Sequence, residues 1–391
     1  MNAPLRRRSA SSCNVTGRCQ TLHMTIPQAS DGLRPHCTIV PPYLLGKLAR
    51  LDDPRFEKAA AAAQQSLLLD AHLRQRRLED DPLSRFDARP PRAHTPGESN
   101  RTISDADGQE RLPGEVVRTE GQPDADDTAV NEAYAGLGDT QALFWTQFGR
   151  DSIDGSGLPL NATVHYGKKY DNAFWDGKRM VFGDGDGEVF NRFTISASVI
   201  GHELAHGVTQ FTANLDYQGQ SGALNESLSD VFGALVEQLA AGQSTAQASW
   251  LIGEGLFTDQ VEGLALRSMK APGTAYNDDV LGKDPQPSSM ADYVETDDDN
   301  GGVHLNSGIP NRAFYLVAEA LGGNAWESPG RIWYETLTGR GLDRQSDFAA
   351  FAQATADTAA RLYGADSAAH EAVVRAWTSV GVIPTENNQP H

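Results

Sequence analysis

Cysteine and long apolar runs are both scarce in this sequence. The 391 residues include three cysteines, Cys13, Cys19 and Cys37, and all of them precede residue 40. The rest of the chain therefore cannot depend on a disulfide framework. No apolar run is long enough to cross a bilayer, so we expect no membrane partner. A chain of this length has room for two or three domains.

Basic residues are also few relative to acidic ones. Lys and Arg number 33 against 52 Asp and Glu, and the formal net charge is −19. Residues 1–100 hold 15 basic and 10 acidic residues and are net +5, whereas the remainder holds 18 and 42 and is net −24. An acidic body argues against a nucleic-acid partner. We expect the basic front part to dock on the acidic body by electrostatic attraction.

The chain does contain a His-Glu-x-x-His motif, at residues 202–206. Apolar residues recur every four positions through it and predict a helix with one buried side: Ile200, Leu204 and Val208. His202 and His206 would lie one turn apart on one face, where they can bind one zinc ion. Glu203 can then reach water on that metal. The alternative is an amphipathic helix with two hydrogen-bonded histidines.

A third ligand is predicted downstream. Glu226 and Asp230 are four residues apart on a second helical pattern, whose other side is apolar. A catalytic zinc takes three protein ligands and leaves one position open. One of the two carboxylates can bind the zinc while the other accepts the free N–H of a ligating histidine. A solvated acidic face is the alternative for this pair.

Four ordered stretches resemble one enzyme family. HELAHGVTQ and GALNESLSDVFGALVE, with Asp171–Trp175 and Asp299–Gly308, are similar to the thermolysin (M4) family of zinc metallopeptidases. The resemblance covers about residues 100–385. It implies a zinc-dependent endopeptidase with one zinc ion per chain and a peptide or protein substrate.

The resemblance also assigns catalytic roles. Glu203 would be the general base that takes a proton from water and passes it to the leaving amine. His304 and Tyr217 would donate hydrogen bonds to the developing oxyanion. Glu226 would be the third zinc ligand, Asp230 would orient a ligating histidine, and Asp299 would orient the His304 imidazole. A loop histidine and a core tyrosine without such roles are the alternatives.

Substrate contacts follow from the same resemblance. Asn172 and the Ala173 backbone match the family's edge strand, which pairs with an extended substrate. Arg267 matches the arginine that binds a substrate carbonyl. Four apolar residues match the subsite after the scissile bond and predict cleavage before a hydrophobic residue: Phe193, Val199, Ile252 and Leu266. A plain core is the alternative for these four.

Calcium binding is not expected. Glu237 and Glu254 match two acids of the family's main calcium site, but Ser198 stands where calcium-binding relatives have an aspartate. Residues 239–250 contain no acid, and calcium needs six to eight oxygen ligands. The segment Gly183–Gly187 is predicted to be a glycine-rich turn that follows a strand.

The front of the chain is predicted to be a removable inhibitor. Residues 38–45, with two predicted helices at 44–51 and 54–79, resemble the short PPY-containing propeptide of protealysin-type members of the family. The Pro- and Arg-rich stretch at 81–96 is predicted to be an exposed linker. The resemblance implies that residues from about 37 to this linker act as an intramolecular inhibitor and folding aid, removed by cleavage in the linker.

The thiol of Cys37 raises a further hypothesis. Cys37 lies four residues before Pro41, and a thiolate could bind the zinc and displace its water, as in a cysteine switch. Cys37→Ser would then raise the basal activity of the uncleaved precursor, and an unchanged latent precursor would contradict the hypothesis. A small buried hydrophobe is the alternative.

The start of the chain shows no secretory signal. Residues 1–23 carry Arg6, Arg7 and Arg8 but lack an apolar core, and Met24 is an alternative start. We therefore expect a cytoplasmic precursor or export by a non-classical route.

The predicted fold class is α+β, with a β-rich N-terminal half and a mostly helical C-terminal half on either side of the active-site helix. The domains are expected at 96–215 and 216–391, after a propeptide and linker at 37–95 and a disordered extension at 1–36. Further helices are predicted at 129–149, 224–240, 308–321, 346–363 and 366–379, and strands at 162–166 and 179–182.

Three functions compete. The first is a zinc endopeptidase made as a zymogen, and we expect it to be a monomer. The second is a catalytically silent peptide-binding protein on a peptidase fold, which the intact Glu203, His304 and ligand set argue against. The third is a zinc hydrolase acting on a non-peptide bond, which the match of Asn172, Ala173 and Arg267 to substrate-binding residues argues against.

Overall fold

The computed structural model describes residues 37–79 and 95–384. The expected extension at 1–36 and most of the expected linker lie outside these residues. The front segment forms two helices, α1 (Pro42–Leu48) and α2 (Glu57–Glu79), joined by a 3-10 turn at Pro54–Phe56. Asp53 starts that turn by accepting a hydrogen bond from the Arg55 N–H at 2.9 Å.

A five-stranded sheet forms the first half of the body. Its elements are β1 (Arg101–Asp105), β2 (Glu115–Thr119), α3 (Thr128–Phe148), β3 (Leu160–Val164), β4 (Ala173–Trp175), β5 (Met180–Phe182) and α4 (Ala197–Gln210). The strand order is β2-β1-β3-β5-β4, with β1, β3 and β5 parallel and the two outer strands antiparallel to their neighbours. Strand β4 therefore lies at an edge and keeps one side open for pairing.

Helices dominate the second half of the body. They are α5 (Gly219–Ala241), α6 (Asp299–Asn306), α7 (Gly308–Leu321), α8 (Ser328–Thr338), α9 (Phe348–Tyr363) and α10 (Ala368–Ser379). Two short hairpins lie between α5 and α6: β6 (Leu251–Ile252) with β7 (Arg267–Ser268), and β8 (Asn277–Asp278) with β9 (Gly282–Lys283). The α+β prediction is confirmed, with α6 and α8 as additions to the predicted helices.

Helices α4 and α5 pack unusually closely at two glycines. A Cβ on Gly233 would lie 2.3 Å from the carbonyl oxygen of Ser198, and one on Gly201 would lie 3.0 Å from the Gly233 Cα. Contacts this short exclude a larger residue at position 233. The close approach brings the polar residues of α5 within reach of the histidines on α4.

The front segment packs on the body mainly through apolar side chains. Eight of its residues belong to the main core cluster: Ile39, Val40, Leu44, Leu45, Leu48, Phe56, Ala59 and Ala63. An ion pair joins Lys58 to Glu188 at 3.2 Å, but the Lys58 side chain is 67% exposed. Burying one leucine contributes about 1.5–3 kcal/mol, whereas an exposed ion pair contributes about 0–1 kcal/mol. Apolar burial therefore outweighs the electrostatic docking expected from the charge distribution.

His165 links the sheet to two loops. Its Nε2 lies 2.9 Å from Asp127, which also caps α3, and its Nδ1 lies 2.8 Å from Asp184 in the glycine-rich segment Gly183–Gly187. Its hydrogen bond to Asp184 raises the pKa of His165 to about 9, partial burial opposes this, and Asp127 adds to it. The imidazole is therefore charged at neutral pH.

This arrangement predicts a pH-dependent stability term. Because the folded-state pKa of His165 exceeds its unfolded value near 6.5, its stabilising effect is complete below that value and is lost as pH rises through about 9. His165→Gln should cost on the order of 1 kcal/mol near pH 6 and less above pH 9. Urea unfolding of both proteins at the two pH values measures the difference, and a pH-independent gap would contradict it.

None of the helices among the described residues has the length and apolarity required of a membrane-crossing segment.

Candidate active site and substrate cleft

The two motif histidines lie one turn apart on α4, and residues of α5 orient their side chains by hydrogen bonds to Nδ1. His202 Nδ1 lies 2.7 Å from Asp230 Oδ1, and His206 Nδ1 lies 2.9 Å from Asn225 Oδ1 and 3.0 Å from Ser229 Oγ. The carboxylate and the amide oxygen can only accept, so both Nδ1 atoms donate. With both imidazoles neutral, as metal binding requires, the two Nε2 lone pairs face each other at 3.0 Å.

Glu226 on α5 completes this cluster. Its Oε2 lies 3.4 Å from His202 Nε2, and its Oε1 lies 3.4 Å from His206 Nε2. Oε2 is buried and accepts no hydrogen bond from the residues that the structure describes. Two facing imidazole lone pairs beside an unpaired buried carboxylate oxygen would repel one another, whereas a cation between them satisfies all three. Two nitrogens and one oxygen are a ligand set of catalytic zinc sites, so these residues fit the ion.

Asp230 is the anchor behind the cluster. It accepts hydrogen bonds from Arg267 Nε and Nη2, both at 2.8 Å, and from Asn311 Nδ2 at 2.8 Å. Complete burial alone would raise the pKa of Asp230, but the charges of Arg267 and His202 lower it to about 2. The carboxylate therefore stays ionised and holds His202 in the orientation that points Nε2 at Glu226.

Glu203 lies beside the cluster on the same helix. Its Oε2 accepts a hydrogen bond from the backbone N–H of Trp175 in β4 at 3.0 Å, while its buried Oε1 has no hydrogen-bond partner among the described residues. Burial raises the pKa of Glu203 to about 8, and the charge of Glu226 adds to this, while His202 opposes it. A carboxyl group with a pKa near neutrality is suited to taking and returning a proton.

His304 faces the cluster from the opposite side. Its Nδ1 lies 2.7 Å from Asp299 Oδ1, and its backbone N–H donates to Asp299 Oδ2 at 3.0 Å. Burial lowers the pKa of His304, but the charges of Asp299 and Glu226 raise it to about 9. The imidazole is therefore protonated at neutral pH and presents Nε2–H as a donor.

The loop before His304 explains its geometry. Asn300, Gly301 and Gly302 have φ values of 52°, 82° and 70°, so the first turn of α6 is left-handed, a conformation that glycine adopts without strain. The reversal folds Asp299 back onto His304. Tyr217, in the loop between α4 and α5, donates to Glu226 Oε1, and its hydroxyl lies 3.2 Å from His304 Nε2.

Residues 38–40 occupy the cleft between these groups and β4. The Ile39 N–H donates to the Ala173 carbonyl at 3.2 Å, and the Val40 N–H donates to Asn172 Oδ1 at 2.9 Å. On the far side, Arg267 Nη1 donates to the Ile39 carbonyl at 3.1 Å. The Thr38 carbonyl lies 3.1 Å from His304 Nε2. The front segment thus adds to the open edge of β4.

Helix α2 holds Asn172 from a second direction. The buried carboxylate of Asp70 accepts hydrogen bonds from Asn172 Nδ2 at 3.1 Å and from the Tyr170 hydroxyl at 2.5 Å. Ser66 Oγ accepts the N–H of Asp171 at 2.9 Å. Both parts of the front segment therefore converge on the edge-strand residues Tyr170–Ala173.

The four apolar residues expected in a specificity pocket are all buried in the main core cluster: Phe193, Val199, Ile252 and Leu266. Ile252 pairs with Arg267 across β6 and β7, and the Leu266 N–H donates to the Ile252 carbonyl at 3.0 Å. Ile252 and Leu266 therefore lie next to Arg267. The pocket role stays a prediction.

Both halves of the body match models of one known protein family. Residues 94–210 match the model of the thermolysin metallopeptidase catalytic domain, and residues 213–382 match that of the thermolysin metallopeptidase alpha-helical domain. The "Extracellular metalloprotease" of Pectobacterium carotovorum is 52% identical over 354 residues, which are 89% of this chain and 97% of the relative. The chain belongs to the thermolysin family.

Two further relatives agree. "Protease PrtS" of Photorhabdus sp. is 50% identical over 74% of this chain and 78% of the relative. The solved precursor of protealysin, a metalloproteinase from Serratia proteamaculans, superposes with a TM-score of 0.80 and 50% identity, covering 89% of this chain and all of that one. This member of the thermolysin family is a zinc metalloendopeptidase made as a precursor.

Several contacting residues were missed by the sequence reasoning: Ser66, Asp70, Asn225, Ser229 and Asn311. Asn225 and Ser229 are four residues apart and precede Glu226 and Asp230 by one position each, so the same spacing argument could have found them. Asp70 and Ser66 carry no such signal, because their partners lie about a hundred residues away. No sequence pattern marks Asn311 either, since it lies on α7 and contacts Asp230 on α5.

Proposed function

We propose that this metalloendopeptidase cleaves before hydrophobic residues and is held latent by residues 37–79 until the linker is cut. The observation that carries the proposal is the occupied cleft. The backbone of residues 38–40 uses the edge strand, Arg267 and His304, which are the groups expected to bind a substrate peptide. A peptide substrate therefore has no access to them in the precursor.

Residues in the site then have separate roles. His202, His206 and Glu226 would hold one zinc ion, which supplies a Lewis acid and an acidified water when bound. Glu203 takes a proton from water at its carboxylate and returns it to the leaving amine. His304 and Tyr217 donate hydrogen bonds to the oxyanion, and Asp299 keeps the His304 imidazole in place.

Substrate positioning follows from the contacts made by the front segment. Asn172 and the Ala173 carbonyl would bind the substrate backbone as they bind Val40 and Ile39. Arg267 would bind the carbonyl of the residue that follows the scissile bond, as it binds that of Ile39. Ile39 is fully buried at this position, which supports a preference for an apolar residue there.

Incubation of the purified precursor with zinc, with and without a chelator, tests the proposal. We expect cleavage within residues 80–96, release of the front segment and the appearance of casein hydrolysis, all prevented by the chelator. Mass spectrometry of the products reports the preferred residue after the cut. A precursor that hydrolyses casein fully before any linker cleavage would contradict latency.

Loss of the Asp70 contacts should give the uncleaved precursor a measurable proteolytic activity. Asp70→Ala removes two hydrogen bonds to a charged group, each contributing about 1.5–3 kcal/mol, so the open fraction of the precursor should rise about tenfold or more. The initial rate of casein hydrolysis, read before linker cleavage is detectable on a gel, measures it. Asp52→Ala, at an exposed position of the same segment, is the control and should leave the rate unchanged.

We also infer that the chain does not bind calcium near Glu237. Ser198 Oγ accepts the Gly253 N–H at 3.2 Å and pairs with Ser196 Oγ at 2.9 Å, while Glu237 accepts the Ser198 N–H at 3.3 Å. The Ser198 hydroxyl and the Glu237 carboxylate thus already accept hydrogen bonds from protein donors at the oxygens that a calcium ion would need as ligands. Added calcium should leave Tm unchanged in a zinc-loaded sample, and a calcium-dependent rise in Tm would sink this inference.

Location and assembly complete the proposal. The relative from Pectobacterium is named extracellular, which supports action of this enzyme outside the cell. Immunodetection in medium and lysate separates an exported enzyme from a cytoplasmic one. We propose a monomer, and light scattering of the purified precursor tests it.

A further inference from the structure

The side chain of Cys37 lies at the metal cluster. Its residue is 8% exposed and packs with Tyr217 and Val303. Its Sγ and the ligand atoms of His206 and Glu226 all lie within 4.8 Å of one another. Cys37 is therefore placed in the same small volume as two of the proposed zinc ligands.

The backbone next to Cys37 fixes this position. The Thr38 carbonyl lies 3.1 Å from His304 Nε2, and the flanking Ile39 is bonded on both sides, to Ala173 at 3.2 Å and to Arg267 at 3.1 Å. A side chain one residue before such an anchored pair has little freedom. Its approach to the cluster thus follows from the docking of the segment.

A second observation points to a ligand in this space. Oε2 of Glu226 is buried there and accepts no hydrogen bond from the described part of the chain, which a bound cation would correct. Zinc prefers four ligands in tetrahedral geometry, and the chain's His202, His206 and Glu226 provide three. Thiolate sulfur is among the strongest protein ligands for zinc.

We propose that Cys37 provides the fourth zinc ligand in the precursor. The thiol releases its proton to solvent on binding, and the water that would otherwise take the fourth position leaves. A four-ligand site of this kind is closed, as in structural zinc sites, whereas a catalytic site keeps one position for water.

This inference rests on the proposed function and adds a second layer of latency to it. The backbone of residues 38–40 excludes substrate, and the Cys37 sulfur excludes water. It also gives a reason why a peptide segment that lies against His304 and the edge strand like a substrate persists in the precursor. Cutting the linker would release both blocks together, because Cys37 and α2 belong to one segment.

Cobalt spectroscopy of the full-length precursor tests the proposal. Cys13→Ser and Cys19→Ser leave Cys37 as the one thiol, and Glu203→Ala prevents self-cleavage. With Co²⁺ in place of zinc, this protein should show a near-ultraviolet thiolate-to-cobalt charge-transfer band. The same protein with Cys37→Ser should bind cobalt and lack the band. A Cys37 protein that binds one cobalt ion without the band would overturn the proposal.

Alkylation gives a second measurement that does not require the Cys37→Ser variant to fold. Modification of Cys37 by iodoacetamide should be slow in the zinc-loaded precursor and fast after chelation, since the metal protects a bound sulfur. Equal rates with and without metal would show that Cys37 is only a packed core residue. Casein hydrolysis by the wild-type enzyme after linker cleavage is scored separately, so failure of the cysteine ligand leaves the endopeptidase assignment standing.

Discussion

Replacing Glu203 by Ala should lower kcat for casein hydrolysis by about 10²–10⁴-fold while the protein keeps its zinc. Glu203 is one residue from a proposed ligand, yet its Oε2 is held by the Trp175 N–H and its Oε1 has no hydrogen-bond partner within residues 37–79 and 95–384. The side chain is thus fixed beside the metal cluster and has a free carboxylate oxygen. Its removal takes away the proton acceptor without touching a zinc ligand.

Metal analysis and active-site titration after linker cleavage in trans check this result. Glu262→Ala, at an exposed position, is the matched control and should retain full activity. Because Glu203→Ala should also stop self-processing, the full-length chain should accumulate. Full activity in Glu203→Ala with zinc bound would exclude this carboxylate as the base. Loss of zinc would instead make it a structural residue.

Replacing Arg267 by Met should destabilise the precursor by about 3–5 kcal/mol, since it leaves the buried Asp230 carboxylate without its main counter-charge. Arg267 is 1% exposed and makes two hydrogen bonds to Asp230 and one to the Ile39 carbonyl. Asp230 would keep only His202 and Asn311. We therefore expect weaker zinc binding as well, because His202 loses part of its support.

The stability lost in Arg267→Met should depend on pH in a defined direction. The folded-state pKa of Asp230 is lowered to about 2, so its stabilising effect is present above its unfolded value near 4 and is lost as pH falls through the folded value. The stability gap between wild type and Arg267→Met should therefore narrow below about pH 4. Urea unfolding in the Glu203→Ala background measures it at pH 7 and pH 3.

An exposed arginine provides the comparison. Arg375 is 66% exposed at its side chain and pairs with exposed Glu371 one turn away on α10, so Arg375→Met should cost no more than about 0.5 kcal/mol. An Arg267→Met protein as stable as this control would contradict the account of Asp230 as a buried charge that depends on Arg267.

Local sequence patterns predict some features of this protein and miss others. The two histidine ligands follow from spacing, since four residues along a helix return a side chain to the same face. Spacing leaves Glu226 and Asp230 as the pair that contains the third ligand, and the family resemblance selects Glu226. Helices with a clear apolar side, such as α5 and α7, lie within a few residues of their predicted bounds. Helix α6 was not predicted, because its left-handed start at Asn300–Gly302 reads as a loop. Nothing in the local pattern marks Asp70 as a partner of Asn172.

The sequence by itself determined the chemistry of this protein: helical periodicity within α4 and α5 gave two imidazoles, a carboxylate base and a pair of carboxylates, and the family resemblance chose the third ligand from that pair. Only the tertiary structure decided that residues 38–40 fill the cleft and that Cys37 reaches the metal cluster. These contacts join residues more than a hundred positions apart. They depend on how α1 and α2 bury apolar side chains against the body, and helix or strand periodicity does not encode that docking.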